Sequence, residues 1–151
     1  MWFSSTYPIK VDEKGRAGVP KAYREILVGE GIDQMVVTFE KEGNWPCIEL
    51  VPLPVWEAFV KEFLKLPQWD RQNAVIRTFK INPARTVPID SAGRVLIPPK
   101  MREWAKLEHE AIVVGASDRF QIWNEDQYNQ VFAEAASGYS DAKNAKALEL
   151  S

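Results

Sequence analysis

The chain has 151 residues, of which 46% are hydrophobic and 26% charged, a globular composition that excludes a disordered or fibrous protein and supplies enough chain for a sizeable core. A single cysteine, Cys47, excludes an internal disulfide and makes a reducing, cytoplasmic setting the expectation. The net charge of -2 argues weakly against nucleic acid, so what matters is where the charge lies.

In chain order, Tyr7 to Val11 is a predicted strand with Ile9 and Val11 on one face and Lys10 on the other. A turn over Asp12 to Arg16 follows, with Gly15 free to take positive φ, and the flanking apolar residues are expected to pair across it as a hairpin. Pro20 opens a short helix with Tyr23, Ile26 and Leu27 on one face, closed by Gly29 and Gly31. Met35 to Phe39 and Cys47 to Val51 are predicted strands around a turn at Gly43-Asn44. After Pro52 and Pro54, an amphipathic helix carries Trp56, Phe59, Val60, Phe63 and Leu64 to about Leu66. A helical stretch from Trp69 to about Lys80, stopped by Pro83, links two halves.

The second half repeats the order. A strand over Thr86 to Ile89, a turn over Asp90 to Arg94 and a strand over Val95 to Ile97 lead into a helix begun by Pro98-Pro99 and carrying Met101, Trp104 and Ala105. Strands at Ala111 to Val114 and Phe120 to Trp123 follow, then a capping-box-like start at Asn124 and Gln127 for a helix bearing Tyr128, Val131, Phe132 and Ala135. Beyond Gly138 the Ala-, Ser-, Asn- and Lys-rich tail is expected to fray. Residues 11–27 and 89–105 share Asp, Gly, Arg, Pro, Arg and Glu in register, an internal duplication with a β-β-α-β-β-α order in each half.

Charge follows the duplication. Lys14, Arg16, Lys21 and Arg24 stand against Glu25 alone, and Arg94, Lys100, Arg102 and Lys106 against Glu103 alone, so each repeat carries +3 while the rest of the chain is acidic. Each tip presents an Asp and an Arg, and only the first adds a Lys.

Asp12-x-x-Gly15-Arg16 and Asp90-x-x-Gly93-Arg94, each followed by a strand, a Pro and an Arg-containing helix, resemble the duplicated motif of the MraZ family. So do Cys47-Ile48-Glu49-Leu50-Val51-Pro52 with Trp56-Glu57, then Val113-Val114-Gly115 and Phe120-Gln121-Ile122-Trp123. The resemblance covers nearly the whole chain. It implies an α+β fold of tandem AbrB-like (SpoVT-AbrB) half-barrels, of the swapped-hairpin, double-psi-related kind, forming a pseudo-symmetric β core with flanking helices. The units would be residues 1–66 and 83–137, with a helical linker over 67–82 and a tail over 138–151. It further implies a cytoplasmic, nucleoid-associated transcription regulator that forms rings and binds short direct repeats in double-stranded DNA upstream of its own operon in the division and cell-wall gene cluster.

Chemistry supports that expectation at named residues. An Arg on a β-ribbon tip can make a bidentate contact to guanine while Lys meets phosphate. Arg16 is the first candidate for base contact, Lys14 and Lys10 are candidates for the DNA backbone, and Arg94 is auxiliary or structural. Asp12, Gly15, Asp90 and Gly93 are expected to shape and orient the turns. Lys21, Arg24, Lys100 and Arg102 are assigned to solvated helix faces or ion pairs. A ring would multiply weak contacts by avidity, with the helices at Trp56 to Leu64 and Tyr128 to Ala135 as alternative contact surfaces or sheet coverings. The rival class is an AbrB-like interaction or antitoxin-type module whose turns are only structural.

Other chemistries find little footing. The lone His109 and distant Cys47 do not make a metal site, and no phosphate-loop, nucleophile or HExxH pattern occurs. No enzyme activity, cofactor or small-molecule substrate is expected. The N-terminus lacks a basic region before an apolar core, and no run approaches membrane-spanning length, so no membrane partner is expected either.

Overall fold

The duplicated pattern becomes two successive β-β-α-β-β-α runs in the computed structural model, which describes residues 1–146. The first run comprises β1 (Thr6–Lys10), β2 (Arg16–Gly18), α1 (Lys21–Gly29), β3 (Gln34–Glu42), β4 (Trp45–Pro52) and α2 (Leu53–Phe63). Between the runs lie α3 (Arg71–Ile76) and a π-helical turn over Arg77–Ile81. The second run comprises β5 (Arg85–Pro88), β6 (Arg94–Leu96), α4 (Pro99–Trp104), β7 (Glu110–Gly115), β8 (Phe120–Trp123) and α5 (Glu125–Lys146).

Local chemistry sets most of these boundaries. Pro20, Pro52 and Pro98 occupy the N-cap positions of α1, α2 and α4, where the missing N–H leaves no bond unmade. The Asp70 carboxylate caps α3 by accepting from the Gln72 N–H at 2.8 Å, and Asn124 Oδ1 caps α5 by accepting from the Gln127 N–H at 3.1 Å. Gly43, at φ +58°, turns the chain between β3 and β4. One expectation fails here: α5 runs unbroken through Gly138 to Lys146, because one exposed glycine costs a helix too little to end it. Residues 147–151 of the expected tail lie outside the described residues.

Six strands form one antiparallel sheet in the order β1-β7-β8-β4-β3-β5, and β2 pairs with β6 in a separate antiparallel ribbon. That order is a palindrome under the repeat. The matched strands β4 and β8 meet at the centre, and each half sends its first strand out to the other: β1 pairs with β7, and β5 with β3. The hairpins expected across the two Asp-x-x-Gly-Arg turns are therefore almost absent, whereas β3–β4 and β7–β8 pair locally across their own turns. Across the first turn only a Val11–Ala17 bridge remains, and β2 takes its partner from the other half, Arg16 facing Leu96 and Gly18 facing Arg94.

Alternation along the strands divides the core. One face of the sheet contributes Ile9, Met35, Val37, Ile48, Leu50, Val113, Phe120 and Ile122 to a cluster completed by Ala17 and Val95 of the ribbon and by Tyr23, Leu27 and Met101 of α1 and α4. Burying each of the larger side chains stabilises the fold by about 1.5–3 kcal/mol, so the ribbon is held mainly by its underside. On the opposite face α2 sets Trp56 on Val36 and Val51, and α5 sets Tyr128 and Val131 on Cys47, Ile112 and Trp123. Between those patches runs a buried polar row of Thr38, Glu49 and Gln121. Lys80 Nζ reaches it from the π-helical turn, 2.8 Å from Glu49 and 2.6 Å from Glu40, and Arg119 adds a second cation 3.2 Å from Glu49. No helix is long and apolar enough among the described residues to cross a membrane.

Candidate nucleic-acid interface

Both tips are built by the same internal bonds. Asp12 Oδ1 accepts from the backbone N–H groups of Lys14 at 3.0 Å and Arg16 at 2.9 Å, while Oδ2 accepts from Arg16 Nε at 2.7 Å. In the second tip Asp90 Oδ1 accepts from Ala92 and Arg94 N–H, both at 2.9 Å, and Oδ2 from Arg94 Nε at 3.0 Å. Gly15 at φ +88° and Gly93 at φ +75° close the turns in a region that L side chains rarely adopt. The carboxyls of Asp12 and Asp90 are held below the usual range, chiefly by the backbone N–H of the arginine four residues on; desolvation pushes the other way, and the arginine side chain and a second backbone N–H add to the lowering.

The β2–β6 ribbon joins the tips, one at each of its ends. Its inner face carries the buried Ala17 and Val95, and its outer face carries Arg16, Gly18, Arg94 and the exposed Leu96. Arg94 Nη1 also lies 3.6 Å from Asp12 Oδ2, so Arg94 is tethered to both carboxylates. Arg16 is fixed through Nε alone, and neither of its Nη atoms has a hydrogen-bond partner among the described residues. The two arginines are similarly accessible, with 34% and 35% of their side chains exposed, so their difference lies in bonding.

Beside the ribbon lies an open groove of about 420 Å³ that Lys10, Arg16, Lys21, Arg24 and Arg94 line together with Asp12. Lys10 projects outward from β1, and Lys14 stands exposed at the apex of the first tip. A neighbouring concavity of about 360 Å³ has the opposite character, with Asp12, Glu13 and Glu108 facing Arg102. Cationic side chains are thus gathered on one side of the first tip and carboxylates on the other.

The assignment of Arg24 and Arg102 to solvated helix faces or ion pairs is corrected. Lys21 does approach Glu25, at 3.9 Å, on an exposed helix face. Arg24 and Arg102 turn inward instead, donating from Nε to the Val19 and Ile97 carbonyls at 3.0 and 3.1 Å. Each guanidinium group lies against the tip of the other half: a β-carbon on Gly15 would sit 2.6 Å from Arg102 Cζ, and one on Gly93 2.6 Å from Arg24 Cδ. The shared register of these arginines was the available signal.

Comparison with known proteins adds lineage to this geometry. Over 131 residues the chain is 36% identical to a protein of Pseudomonas fluorescens Pf-5 named "Transcriptional regulator MraZ", covering 87% of this chain and 85% of the relative. This chain belongs to the MraZ family. A MraZ of Pseudomonas aeruginosa LESB58 is 37% identical over 133 residues, covering 88% of this chain and 86% of its own, and one from Azotobacter vinelandii is 35% identical over 126 residues, covering 83% and 82%. The family model described as "MraZ protein, putative antitoxin-like" matches residues 81–150. Both MraZ tips, from Asp12 to Arg16 and from Asp90 to Arg94, are thus placed on one ribbon beside one basic groove.

Proposed function

We propose that this MraZ-family chain is a transcriptional regulator that binds double-stranded DNA sequence-specifically through the ribbon and its tips, with Arg16 reading a base. Lys14 and Lys10 meet phosphates, Arg94 is auxiliary, and Asp12, Gly15, Asp90 and Gly93 hold the turns. The observation that carries the reading is the state of Arg16: its Nε is pinned by Asp12 while both Nη atoms remain unpartnered beside a cationic groove. A guanidinium so held offers two parallel donors at low ordering cost, the geometry that guanine O6 and N7 accept in the major groove. The relatives' name supports regulation of transcription.

The finer reading is a pair of AbrB-like units, residues 1–66 and 83–137, acting as a ring on short direct repeats upstream of the division and cell-wall genes, in the cytoplasm and on the nucleoid. Several tips per ring would turn successive contacts into intramolecular ones. Exposed Leu64, Trp69 and Val75 supply apolar surface for self-association. Light scattering on the eluting protein tests the ring directly, and a monomer at working concentration refutes it.

Anisotropy titrations with the chain's own upstream DNA test the reading of Arg16. Arg16→Ala is expected to weaken binding by about tenfold or more with unchanged melting, and Arg94→Ala by less. Wild-type affinity should fall with salt on a negative log-log slope, as counterion release requires. A second reading, an antitoxin-type interaction module, draws on the self-sufficiency of the turns: Asp12 and Asp90 each bond two backbone N–H groups and the arginine side chain of their own tip. It prevails if folded Arg16→Ala binds the DNA as tightly as wild type.

A further inference from the structure

Two arginines and two glycines form the same closed figure twice. The Ile97 N–H donates to the Gly15 carbonyl at 2.8 Å, the Ile97 carbonyl accepts from Arg102 Nε at 3.1 Å, and the Arg102 guanidinium returns to the α-carbon of Gly15. In the matching figure Val19 N–H donates to the Gly93 carbonyl at 2.9 Å, the Val19 carbonyl accepts from Arg24 Nε at 3.0 Å, and Arg24 covers Gly93. Each arginine belongs to one half and bears on the tip of the other.

An ion-pair role does not account for this. Among the described residues neither arginine has a carboxylate within salt-bridge distance, and both are only partly exposed. The long side chain is immobilised by a carbonyl and a glycine, and only a residue with an N–H along its stem and a planar end can make both contacts at once. The glycine is required from both sides, because its φ is positive and its missing β-carbon leaves the space the arginine fills.

We propose that Arg102 is a positioning residue for Arg16, and Arg24 for Arg94, each holding the opposite tip in its DNA-reading shape before DNA arrives. This rests on the DNA-reading function proposed above. A turn fixed in advance loses less conformational freedom on binding, so the gain falls on specific affinity and not on general attraction to phosphate. The reading end of the first half thereby depends on a helix of the second.

The test uses full-length wild type, Arg102→Met, Arg102→Lys, Arg24→Met, Arg16→Ala and the Arg16→Ala/Arg102→Met double variant. Anisotropy is read on the upstream DNA and on an unrelated duplex over a salt series, with thermal melting in parallel. Arg102→Met should weaken upstream binding about tenfold, leave the unrelated duplex and the salt slope unchanged, and add nothing in the Arg16→Ala background. Arg24→Met should cost less, and Arg102→Lys, which keeps the charge but lacks the Nε donor, should behave like Arg102→Met. If Arg102→Met melts well below wild type, the lysine variant decides, with specific loss at wild-type melting required.

The role is overturned by wild-type affinity in the deciding Arg102 variant, by an equal loss with and without Arg16, or by a salt slope reduced by about 1, the mark of a direct phosphate contact. A wild type that binds no upstream DNA overturns the DNA-reading function itself. A wild type that binds while that variant binds equally overturns only the positioning role.

Discussion

Asp12 serves three donors with one carboxylate, and that concentration is what makes the tip a rigid object. Two of the donors are backbone N–H groups and the third is the Arg16 side chain, so a single anion fixes both the turn and the guanidinium it presents. Because the folded-state pKa values of Asp12 and Asp90 lie below their ordinary values, their contribution to stability is present above about pH 3.8 and is lost as pH falls through the lower folded values. Gly15 provides the sharper test. Gly15→Ala should destabilise the fold by about 1–2 kcal/mol, since it forces positive φ on alanine and displaces Arg102, whereas Gly18→Ala has open space and should be near neutral. Equal urea midpoints for the two variants would contradict this account. Asp, Gly and Arg of each tip were legible in sequence because an Asx turn is a local property. The destinations of Arg24 and Arg102 were not, because the glycine each covers lies in the other half of the chain.

At the scale of elements, order, type and the β3–β4 hairpin were legible, and the pairing of the strands that flank the two tips was not. Alternation marks a strand and three-to-four spacing marks a helix, so β-β-α-β-β-α could be read twice from apolar periodicity and prolines. Nothing in that periodicity says which strand a neighbour will choose. The turns make local hairpins plausible, yet a three-residue β2 buries only Ala17 on its underside, and the equally short β6 offers an antiparallel partner across the pseudo-twofold. The last helix was cut short at Gly138 for the opposite reason, too much weight on one residue. Gly138 meets nothing within 4 Å, so Gly138→Ala should raise helix content and add about 0.5–1 kcal/mol to the stability of that helix. Circular dichroism at the helix band checks it, and an unchanged or lower signal would count against a continuous α5.

For the whole molecule, the buried polar row ties the linker to the sheet. Burial alone would push the Glu49 carboxyl up, but Lys80, Gln121 and Arg119 outweigh burial and hold it below its ordinary value. The sign follows: this contribution is fully present above about pH 4.5 and disappears as pH falls through the lower folded value. Glu49→Gln should cost about 2 kcal/mol at pH 7, moderated because Lys80 keeps Glu40, and the gap from wild type should narrow on acidification. Denaturant melts of both proteins from pH 7 to 3 measure that gap; a constant difference would show that charge at Glu49 is not what matters.

The exchanged strands have one more consequence. Two separate half-chains pairing through the same palindromic sheet would form a true dimer, obliged to carry identical tips. Here the halves are covalently joined, and matched positions have diverged: Lys14 against Ala92, and Gly18 against Leu96. The ribbon keeps the backbone of a twofold object but gains a direction. Copies laid head to tail along a duplex would meet sites of one orientation, as direct repeats present them, and not the mirrored half-sites that a strict twofold selects.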